Sequence, residues 1–460
     1  MTGKELVLAA FRRETTPRVP WVPFVGVHGG FLIGMPAHDY LRSAEAIVRG
    51  QLLAAERYRP DGLPVVFDLQ VEAEALGCRL AWAEDVPPSV VSHPLEHLAD
   101  ITALPELSFD AGRFPVIAAA TKGLVEKAGD DLALYGLITG PFTLLSHLRG
   151  GELFLDLLTD PDGVRAAMDR CADIALRCAR FYLDLGVPVV AVVDPMTSQV
   201  STGHFTEFIA PALDRVFTGV RARGGYSSLF VCGDATRNLG AMCATACDNV
   251  SIDENISLVA LREHAAHYRK SYGGNMRLTT VLLMGTPDDA KLDAIRCLDE
   301  GYGPGFLLAP GCDLPYATPA VNLQAVALMV HDDYQRQVAK NTLKAREKTF
   351  EDVSLPLYSS EKKVIVDVVT LDSASCAPCQ YMVDAVENAA KKFPDQVEIR
   401  EHKITTSRGL GHMAKLGVGQ IPTICIDGEV KFPSIIPDIT TLIQALEEKV
   451  KCKRRNHESR

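Results

Sequence analysis

The 460-residue chain predicts an α/β protein, a (β/α)8 barrel followed by a small second α/β domain. Three observations carry that expectation. Short apolar runs alternate with longer amphipathic stretches over the first three-quarters of the chain. Most runs are followed within a few residues by a side chain capable of chemistry, as expected where a TIM-type barrel builds its site at the C-terminal ends of its strands. The composition changes once, in the charged stretch from Asp332 to Lys363.

The apolar runs are Val19–Val25, Leu63–Phe67, Leu132–Ile138, Val187–Val193, Ser228–Val231, Asn249–Ile252 and Phe306–Leu308. The eighth strand is either Tyr268–Tyr272 or Thr279–Met284. Between the runs lie helical patterns such as residues 154–186, apolar on one face and closed by Gly186. The residues that follow the runs are His28, Asp68, Asp194, Cys232 with Asp234, Asp253 and Cys312. Asp also ends strands as a turn former, so the alignment of several such residues weighs more than any one of them. The expected organisation is a barrel over 1–340, a charged helix and linker over 341–361, a second domain over 362–452 and a basic tail over 453–460.

Composition excludes several classes. Apolar residues make up 47% and charged residues 23%, ordinary globular usage that leaves no room for long disorder. Forty-seven basic against 58 acidic side chains give a net charge of −11, which argues against a nucleic-acid partner. No apolar run reaches the roughly 18 residues of a spanning helix and the N-terminus lacks an apolar signal core, so the expectation is a cytoplasmic protein with no membrane partner. Twelve cysteines are too sparse for a disulfide scaffold and read as reduced, metal-bound or catalytic thiols.

The second domain carries the clearest motif. A β-branched strand, Val364–Val369, leads to Cys376-Ala377-Pro378-Cys379 and a helix through Lys392. A strand at Val397–Lys403, a helix around Ser407–Leu416, Ile421-Pro422-Thr423, a hairpin turning at Asp427-Gly428 and a helix capped by Asp438 complete a β-α-β-α-β-β-α order. A helix N-terminus favours the thiolate of Cys376, which attacks a disulfide, and Cys379 one turn on resolves the mixed disulfide. The other reading of C-x-x-C, half of a zinc site, lacks a second C-x-x-C or paired His in this region. The segment resembles the thioredoxin/glutaredoxin superfamily, which implies a cis Pro422 beside the cysteines and a thioredoxin- or glutathione-type reductase as partner. Ser375 and Ala377 stand where that family's W-C-G-P-C has Trp and Gly.

The large domain resembles the uroporphyrinogen decarboxylase superfamily, in particular its methylcobalamin:coenzyme M methyltransferase-like branch. The resemblance rests on Phe67-Asp68 with Val71 to Cys78, Thr139-Gly140-Pro141-Phe142-Thr143, Asp194-Pro195 with Phe205, Phe208 and Pro211, and Cys232-Gly233-Asp234. Gly274-Asn275, Gly285-Thr286-Pro287 and Gly311-Cys312-Asp313-Leu314-Pro315 with Thr318, Pro319 and Asn322 complete it. It implies methyl transfer between methylcobalamin, free or on a corrinoid protein, and a thiol acceptor. Asp68 and Asp194 would then be catalytic, and His28, Glu72, His147, Asp234 and Asn275 would bind substrate. Cys232 and Cys312 match the two cysteine ligands of that branch's zinc, but its histidine position is Phe230, which cannot ligate a metal. His28, Glu72, Glu74 or Asp253 would have to supply the missing donor. Cys243 and Cys247, four apart on an expected helix face, read more simply as small core residues.

Two other readings stay open. One is a lyase of tetrapyrrole metabolism, against which stands the lack of any arginine in residues 22–35, where a polycarboxylate would need guanidinium partners. The other is a non-catalytic barrel that senses a corrinoid or thiol. The fusion itself suggests that Cys376 and Cys379 keep the barrel thiols or the acceptor reduced.

Overall fold

A computed structural model describes residues 1–344, 350–374 and 376–458; the Ser375 substitution falls outside them. They form two compact units, one of residues 1–150 and 160–344 and one of 151–159 and 350–458.

The first unit is built on a parallel sheet of seven strands in chain order: β1 (Gly62–Pro64), β2 (Ala133–Thr139), β3 (Val189–Val193), β4 (Tyr226–Val231), β5 (Asn249–Ile252), β6 (Ser271–Met276) and β7 (Phe306–Pro310). The segment Pro20–Val22 hydrogen-bonds both edges. Val22 N donates to Leu308 O at 2.9 Å and Leu308 N to Pro20 O at 2.9 Å, while Asp61 N donates to Trp21 O at 2.8 Å. That is the arrangement of a TIM-type barrel with one rudimentary stave. The Val19–Val25 run therefore contributes a single bridge, Trp21 to Leu308, rather than a strand. Pro20 and Pro23 have no N–H to donate, so the ladder cannot extend past them.

The strand interiors are buried on both faces, as parallel strands covered by helices must be. Alternate residues point inward: Ala133, Tyr135 and Leu137 on β2, Val189, Ala191 and Val193 on β3, Phe230 on β4, and Leu307 and Ala309 on β7 share one cluster with Phe24 and Phe67. Outside, the 24-residue helix Pro161–Asp184 packs on β2 so closely that a Cβ at Gly136 would lie 2.3 Å from Tyr182 Cγ. Residues 154–186 are not one helix. Pro161 disfavours helical geometry at Asp160, which instead caps the long helix by accepting from Gly163 N at 3.0 Å. The eighth strand is β6, which overlaps the Tyr268–Tyr272 run; Leu278–Leu283 is helical, so Thr279–Met284 is not a strand.

The second unit has a four-stranded sheet of β8 (Val364–Thr370), β9 (Val397–Lys403), β10 (Thr423–Ile426) and β11 (Glu429–Pro433), in the order β9-β8-β10-β11. Strands β8 and β9 are parallel and the other pairings antiparallel. Val366, Val368, Met382, Val386, Ile424, Leu442 and Leu446 form its core. The β10–β11 hairpin turns at Asp427 (φ 49°) and Gly428 (φ 79°), two consecutive left-handed residues as a type I′ turn requires. Asp438 Oδ1 accepts from Thr441 N at 2.9 Å at the start of the last helix. That helix, Ile439–Glu458, continues through much of the stretch expected as a basic tail. Among the described residues no helix is long and apolar enough to cross a membrane.

Candidate functional site

The C-terminal ends of the barrel strands bring Cys232 and Cys312 together. Cys232 follows β4 and Cys312 follows β7; the residues are 80 apart in sequence, their Cα atoms are 5.8 Å apart and their sulfurs are bonded. Cys232 lies two residues past Phe230 and continues its inward phase. Both cysteines are half-buried on the inner cluster, over a floor of aromatic rings. The Phe230 centroid is 4.7 Å from Phe24 and 6.0 Å from Phe67. Glycines shape both loops: Gly233 has φ 92°, and Gly311 lets the Cys312 loop pack on the segment after β5, where a Cβ would lie 2.6 Å from Glu254 N.

The donors that a metal would need are engaged elsewhere. Asp253 Oδ2 accepts from Gly233 N at 2.8 Å, and its Oδ1 accepts from Asn255 N at 2.9 Å and Asn255 Nδ2 at 2.6 Å. Burial raises the Asp253 carboxyl and pushes neighbouring Glu254 up to about 8. Among the described residues no group of three or more His, Cys, Asp or Glu could hold a metal ion. A protein zinc site needs three or four ligands, and with Phe230 filling an apolar floor the two sulfurs have no third partner. The residues do not fit a zinc ion.

His28 is fully buried. Its Nδ1 contacts Tyr316 O at 2.8 Å and its Nε2 contacts Tyr58 Oη at 2.7 Å. The carbonyl only accepts, which assigns the proton to Nδ1 and leaves Nε2 to accept from the Tyr58 hydroxyl. Burial lowers this imidazole to about 4, so it is neutral at ordinary pH and both nitrogens are committed.

Asp68 is buried and paired with Arg113, whose Nε also bonds Glu74 Oε2 at 2.7 Å. The Arg113 guanidinium lies 4.8 Å from the Trp82 ring centroid, with Arg42 3.8 Å from the same ring. Arg113 Nη2 and Gln70 Oε1 are buried and have no hydrogen-bond partner among the described residues. Glu72 accepts from Thr139 N at 3.0 Å and Thr139 Oγ1 at 2.7 Å; burial raises its carboxyl. Asp194 accepts from Phe142 N at 3.2 Å, Thr143 N at 2.8 Å and Thr143 Oγ1 at 2.6 Å, closing the N-terminus of helix Pro141–Arg149, and burial raises its carboxyl to about 6.

The remaining expected residues disperse. His147, on that same helix, is buried, its ring nitrogens have no hydrogen-bond partner among the described residues, and burial lowers it to about 3. Asp234 accepts from Thr236 N at 3.0 Å in a local turn. Asn275, after the cis peptide that joins it to Gly274, donates to Ile256 O at 2.6 Å and Asp253 O at 3.2 Å. Cys243 ends in helix Leu239–Ala244 and Cys247 beyond it; both are buried, with thiols raised to about 12 and about 11. Arg113, Trp82 and Tyr58 were missed by the sequence reading. They belong to no motif, and Arg42 and Arg113 lie outside the segment 22–35 where a polycarboxylate's guanidinium partners are expected.

In the second unit Cys376 and Cys379 are bonded, with Cα atoms 5.2 Å apart. Cys376 is the N-cap of helix Ala377–Ala390, its sulfur accepting from Cys379 N at 3.4 Å. Cys376 is half-exposed, Cys379 is fully buried, and the Ile421–Pro422 peptide is cis.

A parallel α/β barrel with paired sulfurs at its mouth is a barrel-enzyme scaffold. Residues 2–332 match the uroporphyrinogen decarboxylase (URO-D) family, and the chain belongs to that family. It is 30% identical over 331 residues to the methylcobamide:CoM methyltransferase MtbA of Methanosarcina mazei, covering 70% of this chain and 96% of the relative. The uroporphyrinogen decarboxylase of Mycolicibacterium gilvum is 29% identical over 308 residues, covering 62% of this chain and 84% of the relative. Among solved structures, a methyltransferase from Methanosarcina mazei superposes with a TM-score of 0.67 at 26% identity, covering 73% of this chain and 99% of that one.

Proposed function

We propose that the barrel transfers a methyl group between a methyl-corrinoid, free or carried on a partner protein, and a thiol acceptor, and that the second unit is a thioredoxin-like dithiol/disulfide module. The observation that carries the first part is the meeting of Cys232 and Cys312 at the mouth of a barrel related along almost its whole length to a methylcobamide:CoM methyltransferase. In the reaction the acceptor thiolate supplies the electron pair of the new S–CH3 bond, and the corrinoid cobalt keeps the pair of the broken Co–C bond. The aromatic floor of Phe24, Phe67 and Phe230 gives the methyl group an apolar, water-poor seat. Arg113, held by Asp68 and Glu74, has one buried N–H group left to meet an anionic group of the acceptor or the corrinoid. Asp194 and Glu72 act on the scaffold, fixing the loops around the mouth.

The donor set, two sulfurs over the Phe230 ring, distinguishes this proposal from activation of the acceptor by a metal. The acceptor thiol has to arrive as its own thiolate, in a seat that the reduced Cys232 and Cys312 line beside the aromatic floor. The lyase reading draws support from the decarboxylase relatives but not from the arginine-free segment 22–35. For the second unit, the half-exposed N-cap Cys376 suits attack and the buried Cys379 suits resolution. Its electrons, drawn from a thioredoxin- or glutathione-type reductase, would keep the barrel sulfurs or the acceptor reduced. The test is methylcobalamin consumption by the reduced full chain with a panel of small thiols. Loss of the methyl-corrinoid spectrum that falls at least tenfold in Cys312→Ser is expected; a spectrum unchanged with every thiol would contradict the proposal.

A further inference from the structure

We propose that Cys232 and Cys312 form a metal-free thiol–disulfide exchange site at the mouth of the barrel, oxidised by small disulfides and reduced by dithiols. The inference goes beyond methyl transfer and does not rest on it. Four observations carry it. The sulfurs are bonded across two intervening strands, β5 and β6, at a Cα separation of 5.8 Å, within the span that a disulfide bridges. Phe230 occupies the position from which a third ligand would come, and its ring is part of the packed floor. The nearby carboxylates are engaged by protein donors: Asp234, two residues past Cys232, by Thr236 N at 3.0 Å and Thr236 Oγ1, Asp313, next to Cys312, by Gly26 N at 2.8 Å, and Asp253 by Gly233 N and Asn255. Finally, these two sulfurs are half-buried, whereas Cys78, Cys171, Cys178, Cys243, Cys247 and Cys297 of the same unit are buried, with thiols that burial pushes up. A raised, enclosed thiol is a poor nucleophile, so exchange is confined to the pair.

In the oxidising direction one thiolate of the reduced pair attacks a sulfur of R–S–S–R, the R–S–S–R bond breaks and RS⁻ leaves. The second cysteine then attacks the mixed disulfide at the protein sulfur and a second RS⁻ leaves. The pair loses two electrons, the small disulfide gains them, and the two cysteine protons end on two RSH. A dithiol runs the same steps backwards, and Cys376 with Cys379 is a dithiol of the required class. When oxidised, both sulfurs are blocked as nucleophiles and as soft ligands.

The test uses the full chain carrying Cys376→Ser and Cys379→Ser, equilibrated in glutathione buffers of graded ratio, acid-quenched, alkylated and mapped by peptide mass spectrometry. The expected result is joint loss of the Cys232 and Cys312 thiols in one two-electron transition, with the linked peptide appearing. The reduced chain should bind one phenylarsine oxide, a probe for paired thiols, and hold less than a tenth of an equivalent of zinc. Independent titration of the two cysteines would overturn the proposal, as would one equivalent of zinc that protects both from alkylation. The measurements on the parent pair need no substitution in the barrel, so a misfolded variant cannot decide them. Failure of methyl transfer with this titration intact would sink the proposed function alone.

Discussion

Phe230 decides the chemistry of the mouth through packing. A phenyl ring 4.7 Å from Phe24 fills space and offers no lone pair, so the two sulfurs above it can only pair with each other or with a soft partner from outside. His28 shows the opposite case, an imidazole that could ligate but whose nitrogens are spent on Tyr58 and the Tyr316 carbonyl. Its lowered value of about 4 has a consequence for stability. Below about 6.5 the unfolded chain binds a proton at this residue that the native state refuses until about 4. Stability present above 6.5 is therefore lost as pH falls through that window, by up to about 3 kcal/mol. The stability difference between parent and His28→Gln, from denaturant unfolding, should shrink by this amount between pH 6.5 and 4; a constant difference would contradict the assignment. Cys232 and Cys312 were legible in sequence as two positions matching metal ligands, and so was the loss of the third ligand; their disulfide was not, since the pattern points to reduced or metal-bound thiols. The Arg113–Trp82 cluster was not legible, because nothing in Gly112-Arg113-Phe114 marks an arginine that folds back onto Asp68.

At the scale of elements, the Asp residues that follow strands behave mostly as joints. Asp194 is the clearest, its carboxylate closing the first turn of helix Pro141–Arg149, with Gly140 leaving room for it: a Cβ there would lie 2.3 Å from Asp194 Cγ. Asp194→Ala leaves two buried N–H groups and a hydroxyl without their acceptor and should cost about 2 kcal/mol, read as a lower denaturant midpoint at unchanged slope. Asp194→Asn, which keeps one acceptor oxygen, should lose less. An unshifted midpoint in Asp194→Ala would contradict the joint. Periodicity located most strands but failed where proline and glycine govern the backbone. Pro20 and Pro23 cut the first run to one bridge, and Gly273-Gly274 left β6 as one of two candidates, Tyr268–Tyr272, that reaches only its first two residues. The break at Asp160-Pro161 carries its own signal, a cap followed by a proline at the first helical position, but the apolar pattern runs through it and masks it.

The whole molecule joins a decarboxylase-family barrel to a second unit with its own core and its own pair of sulfurs. The element order of that unit was legible in full, since its turn, caps and C-x-x-C each carry a local signal. The thiol–disulfide role proposed for it is testable separately: insulin-disulfide reduction by the full chain should fall at least a hundredfold in Cys376→Ser, while Cys379→Ser should accumulate a mixed disulfide. Equal rates in parent and Cys376→Ser would remove the thiol–disulfide role. The central claim concerns the barrel, and the direct measurement follows the methyl group itself. The reduced chain is given methylcobalamin with a deuterated methyl group and a small thiol, and the products are weighed by mass spectrometry. A trideuteromethyl thioether is expected in equal amount to the methylcobalamin lost, and at least tenfold less of it with Cys312→Ser. Label that stays on the corrinoid, with the barrel cysteines shown to be reduced, would contradict it.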